Sequence, residues 1–454
     1  MTSRAAAFDW RSIILPVYLP TLLFSVGEGA MIPVIPVVAT DRGASLALAG
    51  LVAAMIMVGE LAGDLPAGWL VSRIGERTAM IGAAMLAVIG VLVALAAPTV
   101  LSLGVGIFLL GLATAVFGLA RHAFLTSYVP QRIRARALST LAGVFRGGWA
   151  VGPFLAAGLI SWTGSTEIVA WVLVAACFAV IVVLLVLPDP ERVFGAARLG
   201  RRRADAAPPA AAEAVASGSD AAESAESAGD AAAEPADAEP RTAGEAEAEE
   251  HSHGVFHAIR THRGVLARIG SGVGLLAAVR ASRTVILPLW AVSIGMAPEA
   301  AAVVIGVSAA IDFALFYVSG QVMDRFGRLW SAIPGLVGLA TGHLMLAFTH
   351  DVPGNTVWFT VVAVLFGVAN GLSSGVLMTL GADLAPRGNP APFLGAFRTI
   401  GDAGGAAAPL ALSAVTSIAS LSVASAVMGI AGLAGAVILW RYVPRYVPHR
   451  RPER

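Results

Sequence analysis

The chain has 454 residues, of which 57% are hydrophobic and only 13% are charged, and its mean hydropathy is +0.79. A soluble domain carries roughly 25% charged residues, so this composition excludes an ordinary water-soluble protein. All 30 basic residues are arginine, and the formal net charge is +1. The single cysteine, Cys177, lies in an apolar run with no metal-ligand spacing, and we interpret it as a packing residue.

Apolar runs of about 20 residues, the length needed to cross a bilayer, recur along the whole chain. The first of them is too long for the core of a signal peptide, so we expect it to be retained. The predicted spans are 12–38, 45–71, 78–97, 100–128, 137–161, 166–187, 265–294, 298–322, 330–349, 355–384, 391–417 and 420–442. This pattern predicts an all-α membrane protein with twelve transmembrane helices.

Arginines are concentrated in one set of the loops that connect these spans. Arg42 is the only arginine in the opposite set. Because loops rich in Lys and Arg stay on the cytoplasmic side, both termini are predicted to be cytoplasmic. We expect a monomeric, multi-pass protein in the lipid of a bacterial cytoplasmic membrane, with a small-molecule substrate and no nucleic-acid partner.

Composition divides the chain into four parts. The segment 204–250 holds 13 of the 29 acidic residues and one arginine, and it is nearly devoid of large apolar side chains. Such a segment cannot bury enough surface to offset the entropy of ordering it, so it is predicted to be disordered. The predicted parts are an N-terminal six-helix bundle (1–190), a cytoplasmic linker (191–263), a C-terminal six-helix bundle (264–443) and a basic cytoplasmic tail (444–454).

The end of the linker carries four histidines, His251, His253, His257 and His262. A metal site is one interpretation of this cluster. We favour an amphipathic helix near 254–263 that lies on the inner leaflet with its arginines towards the headgroups, and we predict no metal site.

The two bundles are copies of one unit. Residues separated by 252 positions correspond in the first part of each half, as Glu60 does with Asp312 and Gly75 with Gly327. Past the third span the separation becomes 256, as for Gly111 and Gly367. Parallel repeats of this kind are the plan of one large class of transporters.

The same short turn follows the second span of each copy. GQVMDRFGR contains Gly320, Asp324, Arg325, Gly327 and Arg328; GWLVSRIGER contains Gly68, Arg73, Gly75 and Arg77, with Ser72 in place of the aspartate. Both turns resemble the G-x-x-x-D-R-x-G-R-[RK] pattern of the major facilitator superfamily. The resemblance implies two six-helix bundles that work by alternating access, and an acidic residue that helps to latch one state. With Ser72 at the first position, Asp324 is expected to carry that role alone.

The fifth span contains GWAVGPFLAAG, which includes Gly148, Gly152, Pro153 and Gly158. It is similar to the G-x-x-x-G-P-x-x-x-G pattern of the drug:proton antiporters in that superfamily. The resemblance implies export of drug-like compounds.

Ten ionisable residues lie well inside predicted spans, where each costs roughly 3 kcal/mol if it faces lipid. They must therefore pair with one another or face a wet cavity. By depth along the helices, Asp64, Arg121 and Arg146 form one group, with Glu60 one turn from Asp64. Asp312, Arg398 and Asp402 form a second. We predict that these two groups are charge networks or gates.

Glu28 lies near the bilayer centre in VGEGAMIPVIP, where glycines and prolines make the helix deformable. Desolvation favours its protonated form and a nearby guanidinium favours the carboxylate, so it is a candidate proton or substrate site. The repeat places it opposite Arg280, with Arg283 one turn further on, and a permanent Glu28–Arg280 bridge is the alternative. Asn370 and His343 are further polar candidates, although a lone histidine in a span is more often a packing residue.

These observations predict a secondary active transporter without a cofactor and driven by protons, since the chain has no G-x-x-x-x-G-K-[ST] motif for nucleotide binding. Efflux of lipophilic compounds is the leading interpretation. Uptake or exchange of a small polar or anionic solute held by Arg280 and Arg283 is the alternative. A membrane-embedded enzyme or receptor is a remote third, because the sequence shows no catalytic constellation, and we predict that the protein is not an enzyme.

Overall fold

The structure is a computed structural model that describes residues 14–129, 131–187, 259–386 and 390–446. Most of the predicted linker, including His251, His253 and His257, and the tail from residue 447 onward lie outside the described residues. Of the predicted surface helix near 254–263, the described part is helical at 259–261.

The described residues form helices and no strands. Twelve long helices, labelled α1 to α12, follow one another in chain order. They are α1 (Leu19–Met31 and Ile35–Asp41), α2 (Leu46–Ile74), α3 (Glu76–Ala96), α4 (Val100–Tyr128), α5 (Gln131–Thr163), α6 (Ile168–Val186), α7 (Ser271–Ser293), α8 (Pro298–Phe326), α9 (Leu329–Thr349), α10 (Asn355–Leu372 and Val376–Leu384), α11 (Ala391–Ile418) and α12 (Leu421–Tyr446). Short π-helical turns at Ile14–Tyr18 and Leu266–Gly270, the second preceded by a helical turn at Arg263–Val265, lead into α1 and α7.

Eleven helices of the described part are long and apolar enough to cross a membrane. The twelfth, α11, is 28 residues long, which at about 1.5 Å per residue also suffices to span a bilayer. Its hydropathy is lowered by Arg398, Asp402 and a run of small residues. The all-α fold with twelve spans is therefore confirmed.

Two helices that the sequence predicts as single spans are interrupted. In α1 the break falls at Ile32–Val34, beside the prolines that made this helix deformable in the prediction. In α10 it falls at residues 373–375, where Gly375 adopts a φ of +80° that other residues rarely adopt. Both breaks free backbone carbonyls in the middle of the fold.

The two halves pack in the same way. In the first half α1 contacts α5 and α6, and α4 contacts α2 and α3; in the second, α7 contacts α11 and α12, and α10 contacts α8 and α9. Glycines permit equivalent close approaches. A Cβ on Gly111 would lie 2.0 Å from the Ile56 carbonyl oxygen, and one on Gly367 would lie 2.4 Å from that of Ser308. The halves meet chiefly where α5 contacts α8 and where α2 contacts α11.

Candidate functional site

Glu28 lies in the fully buried interior of the first bundle, four residues before the break in α1. Its two carboxylate oxygens accept different hydrogen bonds. Thr114 Oγ1 on α4 donates to Oε1 at 2.9 Å, and Trp149 Nε1 on α5 donates to Oε2 at 2.9 Å. Three helices therefore hold one carboxyl group in a fixed orientation, and the permanent Glu28–Arg280 bridge that the repeat offered as an alternative is not formed.

Arg121 on α4 is the cation nearest to this carboxyl group. Its guanidinium lies over the rings of Phe145 (4.7 Å) and Phe117 (5.9 Å), and it is 7% exposed. Its electrostatic neighbours are Glu28 and Glu60. Its Nε and Nη1 groups have no hydrogen-bond partner among the described residues, so this buried cation has unused donors beside two carboxyl groups.

The second half holds its charges in a connected network. Arg280 Nε donates to Asn370 Oδ1 at 2.9 Å, and Asn370 Nδ2 donates to Asp312 Oδ2 at 2.9 Å. Arg280 also reaches the carbonyl oxygen of Ser373, which the break in α10 exposes. Arg283 lies 3.6 Å from the same Asp312 carboxylate.

Arg146 joins this network from the other bundle. Its Nη1 donates to both carboxylate oxygens of Asp312 at 3.0 Å, so one ion pair connects α5 to α8. Depth alone had grouped Arg146 with Asp64 and Asp312 with Arg398. Both pairings are wrong, because depth along a helix does not tell which bundle a side chain faces.

The repeat extends to the hydrogen bonds of these two sites. Glu28 and Arg280 are 252 positions apart, and Thr114 and Asn370 are 256 apart. In each half, therefore, a charged residue of the first helix is held by a polar residue of the fourth helix. The two hydrogen bonds join equivalent positions, but the charged residue is an acid in the first half and an arginine in the second.

Two narrow, adjoining cavities lie between the halves at this level. Glu28 lines the first and Arg283 lines the second. Trp149 and Thr284 line both. The other lining residues are mostly aliphatic, so both cavities are largely apolar, with a carboxyl group in the lining of the first and a guanidinium in the lining of the second.

The remaining predicted charges lie nearer the ends that carry Gly75 and Gly327, a side we call the turn face. Asp64 on α2 is exposed, as are Arg398 and Asp402 on α11. Arg398 Nε donates to Asp402 Oδ2 at 3.3 Å, and Asp64 lies within electrostatic range of both. Glu60 is half-buried, and the salt bridges of the described residues include none that joins it or Asp64 to an arginine.

His343 is a packing residue in this structure. It is fully buried, shares hydrogen bonds with Ser282 (2.9 Å) and Ser425 (3.3 Å), and packs on the ring of Phe366. It lines neither cavity. Of the polar candidates, Asn370 belongs to the site and His343 does not.

The two turns differ as their sequences do. Gly75 and Gly327 both have positive φ, +80° and +97°. In the second turn Arg328 donates to Asp383 at 2.8 Å and to Asp324 at 3.2 Å. In the first turn Ser72 instead donates to the backbone carbonyl of Trp69 on its own helix.

The arginines of the turns contact rings and helix ends. Arg73 stacks on Trp69 at 4.5 Å, Arg325 stacks on Phe326 at 5.5 Å, and Arg77 donates to the carbonyl oxygen of Leu185 at the end of α6.

The fifth-helix pattern is explained by packing. A Cβ on Gly148 would lie 2.5 Å from Ser25 Cβ, and one on Gly152 would lie 2.4 Å from Ala30 N. Pro153 follows within α5 and lines the second cavity, while Gly158 meets nothing within 4 Å. These glycines bring α5 against α1, which places Trp149 beside Glu28.

The sequence missed Trp149, Thr114 and Thr284. The repeat could have revealed Thr114, because it corresponds to Asn370. Trp149 corresponds to Gly405, so the repeat carries no signal for it. Thr284 donates to the backbone within its own helix. Only its position in the lining of both cavities identifies it as a candidate site residue.

Two six-helix repeats with buried charges around a cavity between them define a membrane transporter of the two-repeat class. The family model described as Major Facilitator Superfamily matches residues 17–409 and 269–454. The chain belongs to this superfamily and is a multi-pass secondary transporter.

Individual relatives are more distant. The galactose-proton symporter of Escherichia coli (strain K12) is 28% identical over 180 residues, which is 40% of this chain and 39% of the symporter. A peptide transporter POT superposes with a TM-score of 0.67 at 14% identity, over 96% of this chain and 94% of that chain. The xylose transporter XylE from E. coli superposes with a TM-score of 0.62 at 17% identity, over 96% and 99%. At these identities the two structures show the fold alone.

Proposed function

We propose that this protein is a proton-coupled symporter that takes up a small polar solute through the cavity between its bundles. The observation that carries the proposal is the position of Glu28. An ionisable group inside a membrane domain is costly to bury, and such groups typically mark the path of a proton or a substrate.

The surroundings of Glu28 suit both of its protonation states. As a carboxylate it accepts from Thr114 and Trp149 and lies near the Arg121 guanidinium. As a neutral acid it no longer balances Arg121, whose unused donors then need another acceptor. Protonation therefore changes the electrostatics of the first bundle at the wall of the cavity, which is what coupling requires.

The contacts between the bundles support access from one side at a time. On the side away from the turns, Gly50 on α2 approaches Ser413 on α11, and Gly306 on α8 approaches Phe154 on α5. Nearer the turn face, Asp64 on α2 and Arg398 on α11 are exposed, while Gly143 on α5 still approaches Tyr317 on α8. The cavity thus lies nearer to opening at the turn face, which the distribution of arginines assigns to the cytoplasm.

Uptake is favoured over export by the partial match to a galactose-proton symporter. Efflux of drug-like compounds had been predicted chiefly from the fifth-helix pattern. Because its glycines Gly148 and Gly152 serve the packing of α5 on α1, that pattern carries no information about direction. Export therefore remains a prediction without a structural observation in its favour.

The test uses the full chain in proteoliposomes that contain the pH-sensitive dye pyranine. Galactose and benzoate are added outside in separate experiments, with ethidium as a lipophilic cation for comparison. Symport predicts that a polar solute acidifies the lumen, that a protonophore removes the signal, and that E28Q abolishes it. E167Q, at an exposed acid outside the spans, is the matched control and should behave like the wild type.

Two outcomes would overturn the proposal. One is ethidium-driven proton movement in the opposite sense, without any response to galactose or benzoate. The other is a full signal in E28Q, which would remove this carboxyl group from the coupling.

A further inference from the structure

We infer that the solute carries an oxyanion, a carboxylate or a phosphate, which binds Arg283 in the cavity beside Trp149, while Arg280 adds positive charge close by. This inference rests on the proposed function and specifies its substrate class. It is carried by an imbalance of charge, by an unused buried donor, and by the lining of the cavity.

The charge imbalance is local to the second bundle and its contact with α5. Arg146, Arg280 and Arg283 contribute three positive charges. Arg146 and Arg283 contact the Asp312 carboxylate directly, and Arg280 reaches it through Asn370. Two positive charges are therefore left without a counterion among the described residues. Burying an uncompensated charge is unfavourable, so this site is arranged to receive an anion.

Arg283 has the free donor. It is 8% exposed, its nearest carboxylate oxygen is 3.6 Å away, and its Nε has no hydrogen-bond partner among the described residues. It also lines the second cavity. Arg280 is committed to Asn370 and the Ser373 carbonyl, so it adds charge to the site while Arg283 offers hydrogen bonds. A guanidinium binds carboxylate and phosphate groups through paired N–H donors.

The other lining residues of the cavity indicate the chemistry of the rest of the solute. Trp149, Pro153, Leu287 and Ile305 line it with apolar surface, and Thr284 adds one hydroxyl group. An organic acid or phosphate ester with a small apolar body fits these walls better than a fully hydroxylated sugar.

The inverted repeat explains how this site differs from the proton site. Glu28 and Arg280 occupy equivalent positions and are held by the equivalent residues Thr114 and Asn370. The first half thus places an acid, which exchanges a proton, where the second half places a cation, which holds an anion. Trp149 contacts both the proton site and the anion site, since it donates to Glu28 and lines the cavity of Arg283.

The experiment measures thermal stabilisation of the purified full-length protein in detergent by four probes. They are benzoate, phenyl phosphate, the neutral isostere benzamide, and galactose. Either anion is expected to raise the midpoint of unfolding in the wild type, and benzamide is not. A response to benzoate alone assigns a carboxylate, and a response to phenyl phosphate alone assigns a phosphate ester.

Variants locate the site. R283Q should weaken anion binding at least tenfold, and R283K should lose less because it keeps the charge. R398Q removes an exposed guanidinium, whose side chain is 71% exposed, and should bind as the wild type does. If R283Q does not fold, the two single variants R280Q and R283K replace it, and each should weaken anion binding.

Stabilisation by benzamide or galactose but by neither anion would overturn the inference, as would anion binding that R283Q leaves unchanged. These failures are distinct from failure of the proposed function. Galactose-driven acidification that persists in R283Q keeps symport and removes the anion site. Anion binding by a wild-type protein that moves no protons keeps the anion site and removes symport.

Discussion

The contact between Arg146 and Asp312 makes a sharp prediction. Removing the charge of Asp312 should lower the free energy of unfolding more than removing the charge of Arg146. The pair is largely buried, with side chains that are 22% and 8% exposed. Breaking a buried pair by removing one partner costs about 3–5 kcal/mol. That cost depends on which charge is left behind.

In D312N the charge left behind is large. Arg146, Arg280 and Arg283 remain, and the described network contains no other carboxylate. We expect the full loss of about 3–5 kcal/mol in the free energy of unfolding. In R146Q the carboxylate keeps Arg283 at 3.6 Å and the Asn370 amide at 2.9 Å, so we expect a loss of about 1.5–3 kcal/mol, the value of a hydrogen bond to a charged group.

The assay is equilibrium unfolding of both variants and of R146Q/D312N in mixed detergent micelles, followed by circular dichroism. The double variant restores the net charge of the wild-type network and should be more stable than D312N alone. Equal losses in the two single variants, or a larger loss in R146Q, would refute the charge accounting. Such a result would also remove the main support for an anion site.

Three further predictions follow from the geometry. W149F keeps the ring but removes the hydrogen bond to Glu28, and it should lower proton movement per solute in the pyranine assay roughly tenfold; unchanged coupling would contradict a role for this indole. G152A places a Cβ 2.4 Å from a backbone nitrogen of α1 and should reduce the yield of folded protein in size-exclusion chromatography. G327A forces a φ of +97° and a ψ of +165° on a residue with a side chain, at about 1–3 kcal/mol, and should lower the midpoint of unfolding. G320A, where nothing lies within 4 Å, is the control for both glycine variants and should behave as the wild type does.

Much of the fold could be predicted from the sequence, because membrane spans are set by long apolar runs and each run satisfies its own backbone hydrogen bonds. The turns at Gly75 and Gly327 could also be predicted, since only glycine suits their positive φ. The break in α10 could not. Ser373, Ser374 and Gly375 form an ordinary small-residue stretch, and its interruption depends on Arg280 and Ser319 bonding the freed carbonyl groups.

The candidate site could be predicted only in part. A charge inside a span is a strong signal, and it marked Glu28, Arg280, Arg283 and Asp312. Pairing was the difficult step, because depth places residues at one level without saying which helix faces which. The bond between Trp149 and Glu28 depends on the rotation of α5 against α1, and the sequence of α5 alone does not say which of its faces packs on α1.

The two contacts between the bundles differ in a way that bears on how the protein opens. Arg146 and Asp312 join α5 to α8, and their equivalents across the repeat are Asp402 on α11 and Glu60 on α2. One contact therefore carries a salt bridge where the other carries two carboxyl groups within electrostatic range of each other. Asp402 is paired with Arg398 on its own helix, so it forms no ion pair with α2 among the described residues, while opposite charges hold α5 against α8. The bundles are thus built to separate more readily at α2 and α11, which is also where the exposed charges of the turn face lie.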